Sequence, residues 1–111
     1  MTEINASMIN ASIVPNLWFD REAEQAAQHY IAAFGGNGRI LNTIAAHPAA
    51  PSPQDVPMVV EFELAGQRFV GINGGPQFPF TEAVSLEVRV TGQEQLDRVW
   101  AALSEGGQEG P

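Results

Sequence analysis

Glu61 and Glu63 alternate with Val60, Phe62 and Leu64, so the two carboxylates share one face of a strand and the apolar side chains share the other. A carboxylate on a half-buried face becomes a general base once burial disfavours its charged form, and Glu61 is the candidate for that role. The same alternation carries Asn16, Trp18, Asn73, Ser85, Glu87 and Arg89 toward a common face with the two glutamates. These side chains would form a polar cup, in which Arg89 pairs with Glu87 or with the carboxylate of a ligand. The simpler alternative is that they solvate an open sheet face or form salt bridges across a dimer. The run Asn73-Gly74-Gly75-Pro76-Gln77-Phe78-Pro79-Phe80 adds an aromatic wall. Glycine admits backbone angles that other residues avoid and proline fixes its own, so Phe78 and Phe80 are presented from a stiff loop. The two rings either plug the end of the sheet or, with Trp18 and Asn73, line a pocket.

Other chemistries find less support. The chain has no cysteine, which removes disulfides, thiolate metal sites and cysteine nucleophiles together. His29 lies beside an apolar helical stripe and His47 enters a proline-rich segment, neither with a second ligand at a metal-like spacing. The Gly-Gly pairs at Gly35, Gly74 and Gly106 lack the spaced glycines between strand and helix that cradle a nucleotide, and the chain has no lysine for a P-loop. A Rossmann-like methyltransferase would need such a loop for S-adenosylmethionine and more chain to build its sheet. No serine nucleophile elbow or Ser-His-Asp set is visible.

The elements that must position the cup follow from periodicity. Residues 1–12 read as an N-terminal arm and 13–111 as one α+β domain, a size that buries a modest core. Ile13 to Phe19 is expected as a strand, Asp20 as the N-cap of a helix carrying Ala23, Ala26, Ala27, Tyr30, Ile31 and Phe34, and Gly35-Gly36 as its stop. Arg39 to Ala46 suits a second strand before the proline-rich loop His47 to Pro57. Met58 to Leu64 and Gln67 to Asn73 form a hairpin about Ala65-Gly66. Ala83 to Val90 alternates again and is expected as a fifth strand. Thr91 with Glu94 is a capping box, and Leu96, Val99, Trp100 and Leu103 stripe the helix that runs to Gly106-Gly107. The order is a βαβββ module followed by the strand and helix of an incomplete second one, which leaves the last strand without neighbours.

Thirteen acidic residues against five arginines give a net charge of −8, a field that repels nucleic acid and anionic membranes. Met1 to Ser12 lacks the basic and apolar regions of a signal peptide, and no apolar run is long enough to cross a bilayer, so a soluble cytoplasmic protein is expected. The Asn5-Ala6-Ser7 and Asn10-Ala11-Ser12 triplets then have no glycosylation role.

Four segments occur in one order: Pro15-Asn16-Leu17-Trp18-Phe19, Glu22 to Ala27, Phe62 to Phe69, and the Asn-Gly-Gly-Pro loop. Together they resemble the PhnB-like branch of the vicinal-oxygen-chelate (glyoxalase/bleomycin-resistance) superfamily, the branch that carries the name 3-demethylubiquinone-9 3-methyltransferase. The resemblance runs from about Ile13 to about Gly107. It implies two βαβββ modules around a curved sheet, so that three strands would be absent here, the chain being truncated or else completed by a partner such as a second copy in a two-fold dimer. It also implies metal ligands on the first, fourth and fifth strands, and a glutamate on the final strand, one of those absent here. Counted back from Tyr30 the first falls on Asn16, and the next two fall near Gly71 and on Ser85, none of which suits a divalent transition metal. No cofactor is therefore expected, although a divalent metal is the rule in the superfamily. The leading expectation is a small-molecule binding protein using Asn16, Trp18, Asn73, Phe78, Phe80, Ser85, Glu87 and Arg89. The alternatives are a superfamily enzyme (lyase, isomerase or dioxygenase-like, or the methyltransferase of the branch name) with Glu61 as base, or a pseudo-domain with only an association role. The expected partners are a small molecule and a second copy, with neither nucleic acid nor membrane.

Overall fold

The computed structural model describes residues 7–107; the first six residues of the expected arm, and with them the start of the first glycosylation triplet, lie outside them. The chain runs β1 (Asn16–Phe19), α1 (Ala23–Ala33), β2 (Gly38–Ala45), β3 (Pro57–Leu64), β4 (Gln67–Asn73) and α2 (Gln93–Ser104). The four strands make one mixed sheet in the order β1-β4-β3-β2, with β1 parallel to β4 and the other neighbours antiparallel. This is the βαβββ order expected from periodicity.

The β3–β4 hairpin anchors the arrangement. Ala65 and Gly66 both take left-handed backbone angles, φ 50° and 84°, the geometry of a tight two-residue hairpin turn. That turn fixes the register Leu64↔Gln67, Glu63↔Arg68, Phe62↔Phe69, Glu61↔Val70, Val60↔Gly71 and Val59↔Ile72. Val60, Phe62, Leu64 and Phe69 are buried on one face, with Phe19 from β1 and Ala23 and Ala27 from α1 laid against them. Phe62 stacks on Phe69 with ring centroids 5.4 Å apart, and Tyr30 leans over Phe62 at 6.4 Å. Small residues let the helix come close. A Cβ built on Gly71 would stand 3.0 Å from the Cβ of Ala23, so the strand offers a glycine where the helix offers an alanine.

Several expectations need correction. The first strand begins at Asn16, and Ile13 is exposed. Asp20 does not cap α1. The cap position is Glu22, whose side chain makes no capping bond; the Ala23 N–H instead donates to Oδ1 of Asn73 at 2.9 Å. Thr91 and Glu94 do not form a capping box, since α2 starts from Gly92 without a side-chain cap. The largest departure is Ala83 to Val90, which joins no sheet. Val84, Leu86 and Val88 alternate as a strand would, but no neighbour among the described residues offers the ladder that makes alternation into structure, and the three side chains are exposed. Helix α2 packs on α1 and has no buried residue. The proline-rich loop is held locally: the Gln54 side-chain amide donates to the carbonyls of His47, Ala50 and Ser52, and Arg21 pairs with Asp55. That ion pair, through the hydrogen bond from Arg21 and then one from backbone, holds the Asp55 carboxyl below the usual carboxylate range.

Candidate functional site

Helix α1 covers one face of the sheet, and among the described residues no helix packs on the other. The register decides which side chains the open face receives. Glu61 stands opposite Val70, and Asn16 beside Val70, so Asn16 and Glu61 share that face with Trp18, Ile72, Val59 and Glu63. Four of the residues expected in one cup are thus brought together: Asn16, Trp18, Glu61 and Glu63. Glu61 is half-buried at the centre of the face and has neither a hydrogen-bond nor an ion-pair partner among the described residues.

Trp18 is the most firmly placed of them. Its ring lies over Gly74 so closely that a Cβ there would fall inside the indole, and its Nε1–H donates to the carbonyl of Gly75 at 2.8 Å. The glycine pair is itself tied down, Gly74 N–H to Phe19 O at 3.0 Å and Gly75 N–H to Asp20 O at 3.1 Å. Phe78 meets the Trp18 ring edge-on at 4.8 Å, on the open face. Phe80 meets Phe19 edge-on at 5.2 Å, and Phe19 belongs to the helix-covered face. The aromatic loop therefore straddles the end of β1, one ring on each side: Phe80 against Phe19 behind the sheet, and Phe78 against Trp18 at the edge of the open face.

Asn73 does not reach that face. It stands beside Phe19 in β1 and its residue pattern in β4 is that of Phe69 and Gly71, so its side chain points to the α1 side, where it is wholly buried. There Oδ1 accepts from the Ala23 N–H and Nδ2 donates to the carbonyl of Pro57 at 2.8 Å, joining the start of α1 to the start of β3. Ser85, Glu87 and Arg89 are also off the face, because the segment carrying them is not in the sheet. Glu87 and Arg89 approach to 3.4 Å, both well exposed, an ion pair of little energetic weight. They rim a groove on the opposite side of the sheet, between Tyr30 and Phe34 of α1 and Val99 and Leu103 of α2. Burial against this region pushes the Tyr30 hydroxyl above its ordinary pKa.

The metal that the resemblance implies does not fit these residues. The fourth-strand position, Gly71, faces α1 and not the open face, while its neighbours Val70 and Ile72, which do face outward, offer no ligand atom. Asn16 bonds the chain just before it, Nδ2 donating to the carbonyl of Val14 at 3.0 Å, and Ser85 is away from the sheet. His29 lies against Tyr30 and the Nδ1 of His47 accepts from the Ala49 N–H. Among the described residues no three His, Asp or Glu side chains gather closely enough to hold a metal ion.

Periodicity overlooked Arg39 and Asn42 of β2 and Arg68 of β4, which the register also sets on the open face, opposite Glu63, Glu61 and Glu63 respectively. The signal for Arg68 was present: a two-residue turn at Ala65-Gly66 pairs residue 63 with 68 by counting alone. The bulge between Ile40 and Asn42 hid the β2 residues from any strict alternation.

Fold and face together define a PhnB-like α+β domain: a helix-backed βαβββ sheet with one bare face. The 3-demethylubiquinone-9 3-methyltransferase family matches residues 11–111, nearly the whole chain, and the protein belongs to that family. The PhnB protein from Bacillus cereus superposes with a TM-score of 0.74 at 28% identity, over 85% of this chain and 74% of that one. A protein from Staphylococcus aureus aligns over 91% of this chain and 74% of its own at 23% identity, with a TM-score of 0.44, too loose to bear on the fold. No curated protein matches the chain. Among the described residues no helix is long and apolar enough to cross a membrane.

Proposed function

We propose that this protein binds a small molecule on the open face of its sheet, without a metal ion, and that it works as a homodimer. The observation that carries the reading is the seating of Trp18. A large ring held by a hydrogen bond, a glycine floor and an edge-on phenylalanine has little freedom left to lose when a ligand stacks on it, which is how a preformed site keeps the cost of binding low. Asn16 and Glu61 supply polar contacts next to that ring, and Phe78 its outer wall. Asn73 and Phe80 serve the site from behind, by fixing the ends of the elements that carry Trp18. Ser85, Glu87 and Arg89 lie off the face in a single copy and belong to the surface that a second copy would cover.

The family name describes a methyl transfer, and an enzyme remains the second reading because the Glu61 side chain stands half-buried at the centre of the face, without a partner among the described residues. One variant pair separates the two. In a Trp100→Phe background, which leaves Trp18 as the only indole, a small aromatic ligand is expected to quench fluorescence saturably, and Trp18→Leu to abolish binding measured by calorimetry. Glu61→Gln that retains binding while abolishing a measured turnover selects the enzyme; no saturable binding by any aromatic probe rejects both.

A further inference from the structure

The register orders the open face into three rows across the sheet. At the end beside the aromatic loop the row is apolar: Ile44, Val59, Ile72 and Trp18. The middle row holds Asn42, Glu61, Val70 and Asn16. The far row is charged, Glu63 between Arg39 and Arg68. Along β3 and β4 successive rows are two residues apart, roughly 7 Å, so the apolar row and the charged row are separated by about 13 Å; on β2 the bulge before Asn42 adds one residue between Arg39 and Asn42.

The far row is unusual for this chain. Two of its five arginines stand there, one on each side of a single carboxylate, in a protein of net charge −8. Cross-strand Arg–Glu neighbours ordinarily pair, yet the described residues contain ion pairs only at Arg21–Asp55 and Arg89–Glu87, and neither Arg39 nor Arg68 gives its guanidinium to any side chain. One end of the face is thus an aromatic and aliphatic floor, and the other has two uncommitted planar donors suited to a carboxylate. The polar groups between them sit on the flanks, Glu61 and Asn42 toward β2 and Asn16 on β1, leaving Val70 as an apolar step along β4 from Ile72 to Arg68.

We infer that the open face takes an elongated amphipathic monoanion: an aromatic or aliphatic body lies along β4 on Trp18 and Ile72, beneath Phe78, and a carboxylate at the far end, about 13 Å away, is held by Arg68 with Arg39 beside it. The inference rests on the proposed binding at this face and adds the chemical class and the direction of the ligand. A rule of charge complementarity picks the occupant: nucleic acid and anionic membrane are opposed by the net charge, while one carboxylate meets two free guanidiniums within the row.

The test uses the full chain in the Trp100→Phe background, with 6-phenylhexanoate and its neutral counterpart 6-phenyl-1-hexanol as probes, and Trp18 quenching as the readout. Arg68→Gln is expected to weaken the carboxylate about tenfold or more, Arg39→Gln to weaken it less, and Arg68→Lys to restore part of the loss, with the alcohol unaffected throughout. Both arginines are exposed strand positions, and an unchanged circular dichroism spectrum verifies folding of each variant. If both probes quench and Arg68→Gln weakens neither, the polarity is wrong although the face still binds. If Arg98→Gln, on the groove behind the sheet, weakens the carboxylate in place of Arg68→Gln, the anion sits elsewhere and the inference is overturned. If neither probe quenches Trp18, the binding reading fails together with it.

Discussion

Asn73 spends both ends of its amide inside the protein, and its position shows why a polar residue can be retained at zero exposure. The acceptor end does the work of an N-cap from fifty residues away in sequence, taking the Ala23 N–H that Glu22 leaves unsatisfied; the donor end takes the carbonyl that begins β3. Asn73→Ala removes both partners at once and leaves a buried N–H and a buried or half-buried carbonyl without replacement, at an expected cost of about 2–4 kcal/mol. Asn73→Asp keeps the acceptor at a helix N-terminus, loses the donor and buries a charge, so it is expected to fall between wild type and alanine at neutral pH. Urea unfolding followed by circular dichroism checks both: an alanine variant with an unchanged midpoint would mean that water replaces these bonds. Because Trp18 is held by the loop that follows Asn73, the same substitution is expected to shift the Trp18 emission even where the chain stays folded.

Hairpins and helices were legible in the residues because each carries its own local instruction. The turn at Ala65-Gly66 sets a register, Val60, Phe62 and Leu64 mark a buried face, and Gly35-Gly36 ends a helix. What could not be read was which face the residues of β4 choose. Val70 and Ile72 are as apolar as Phe69, so alternation alone cannot orient the strand; it sets Asn73 in the cup, whereas the side chain lies behind the sheet. Gly71 held the missing clue, since a glycine inside a strand marks a close approach, here by Ala23 of α1. The segment 83–90 fails for a different reason: its alternation is a property of the chain, whereas a strand is a property of a pair. Amide hydrogen exchange should separate these cases. Residues of β3 and β4 in the centre of the sheet are expected to be the slowest, α2 intermediate to fast because none of its residues is fully buried, and 83–90 to exchange at close to unfolded rates in a dilute monomer. Slow exchange at Leu86 and Val88 under dilute conditions would show a ladder that the described residues do not contain.

Across the whole molecule the exposed apolar side chains are unevenly distributed. Phe78, Phe80, Val84, Leu86 and Val88 run consecutively along the stretch before α2, and Leu96 and Trp100 continue them on that helix, each more than two-fifths exposed. Scattered apolar residues on a surface need no explanation, but a run of this length next to an unpaired backbone calls for a cover. A second copy satisfies that need symmetrically, and it is opposed by a long-range term that the composition supplies: each protomer carries a net charge of −8, so two copies repel until salt screens them. Apolar contact is little weakened by moderate salt, whereas the repulsion falls as the Debye length shrinks from roughly 30 Å at 0.01 M to about 8 Å at 0.15 M. Dimerisation is therefore expected to strengthen on adding salt, the reverse of an interface held by ion pairs. Sedimentation velocity at micromolar protein should show a dimer fraction that rises from 0.01 to 0.15 M NaCl, and Leu86→Lys, in the middle of the run, should return the protein to monomer at every salt concentration. A wild-type chain that stays monomeric across this range would leave the apolar run without a second copy as its cover; a dimer that dissociates as salt rises would place the contact on charged residues instead.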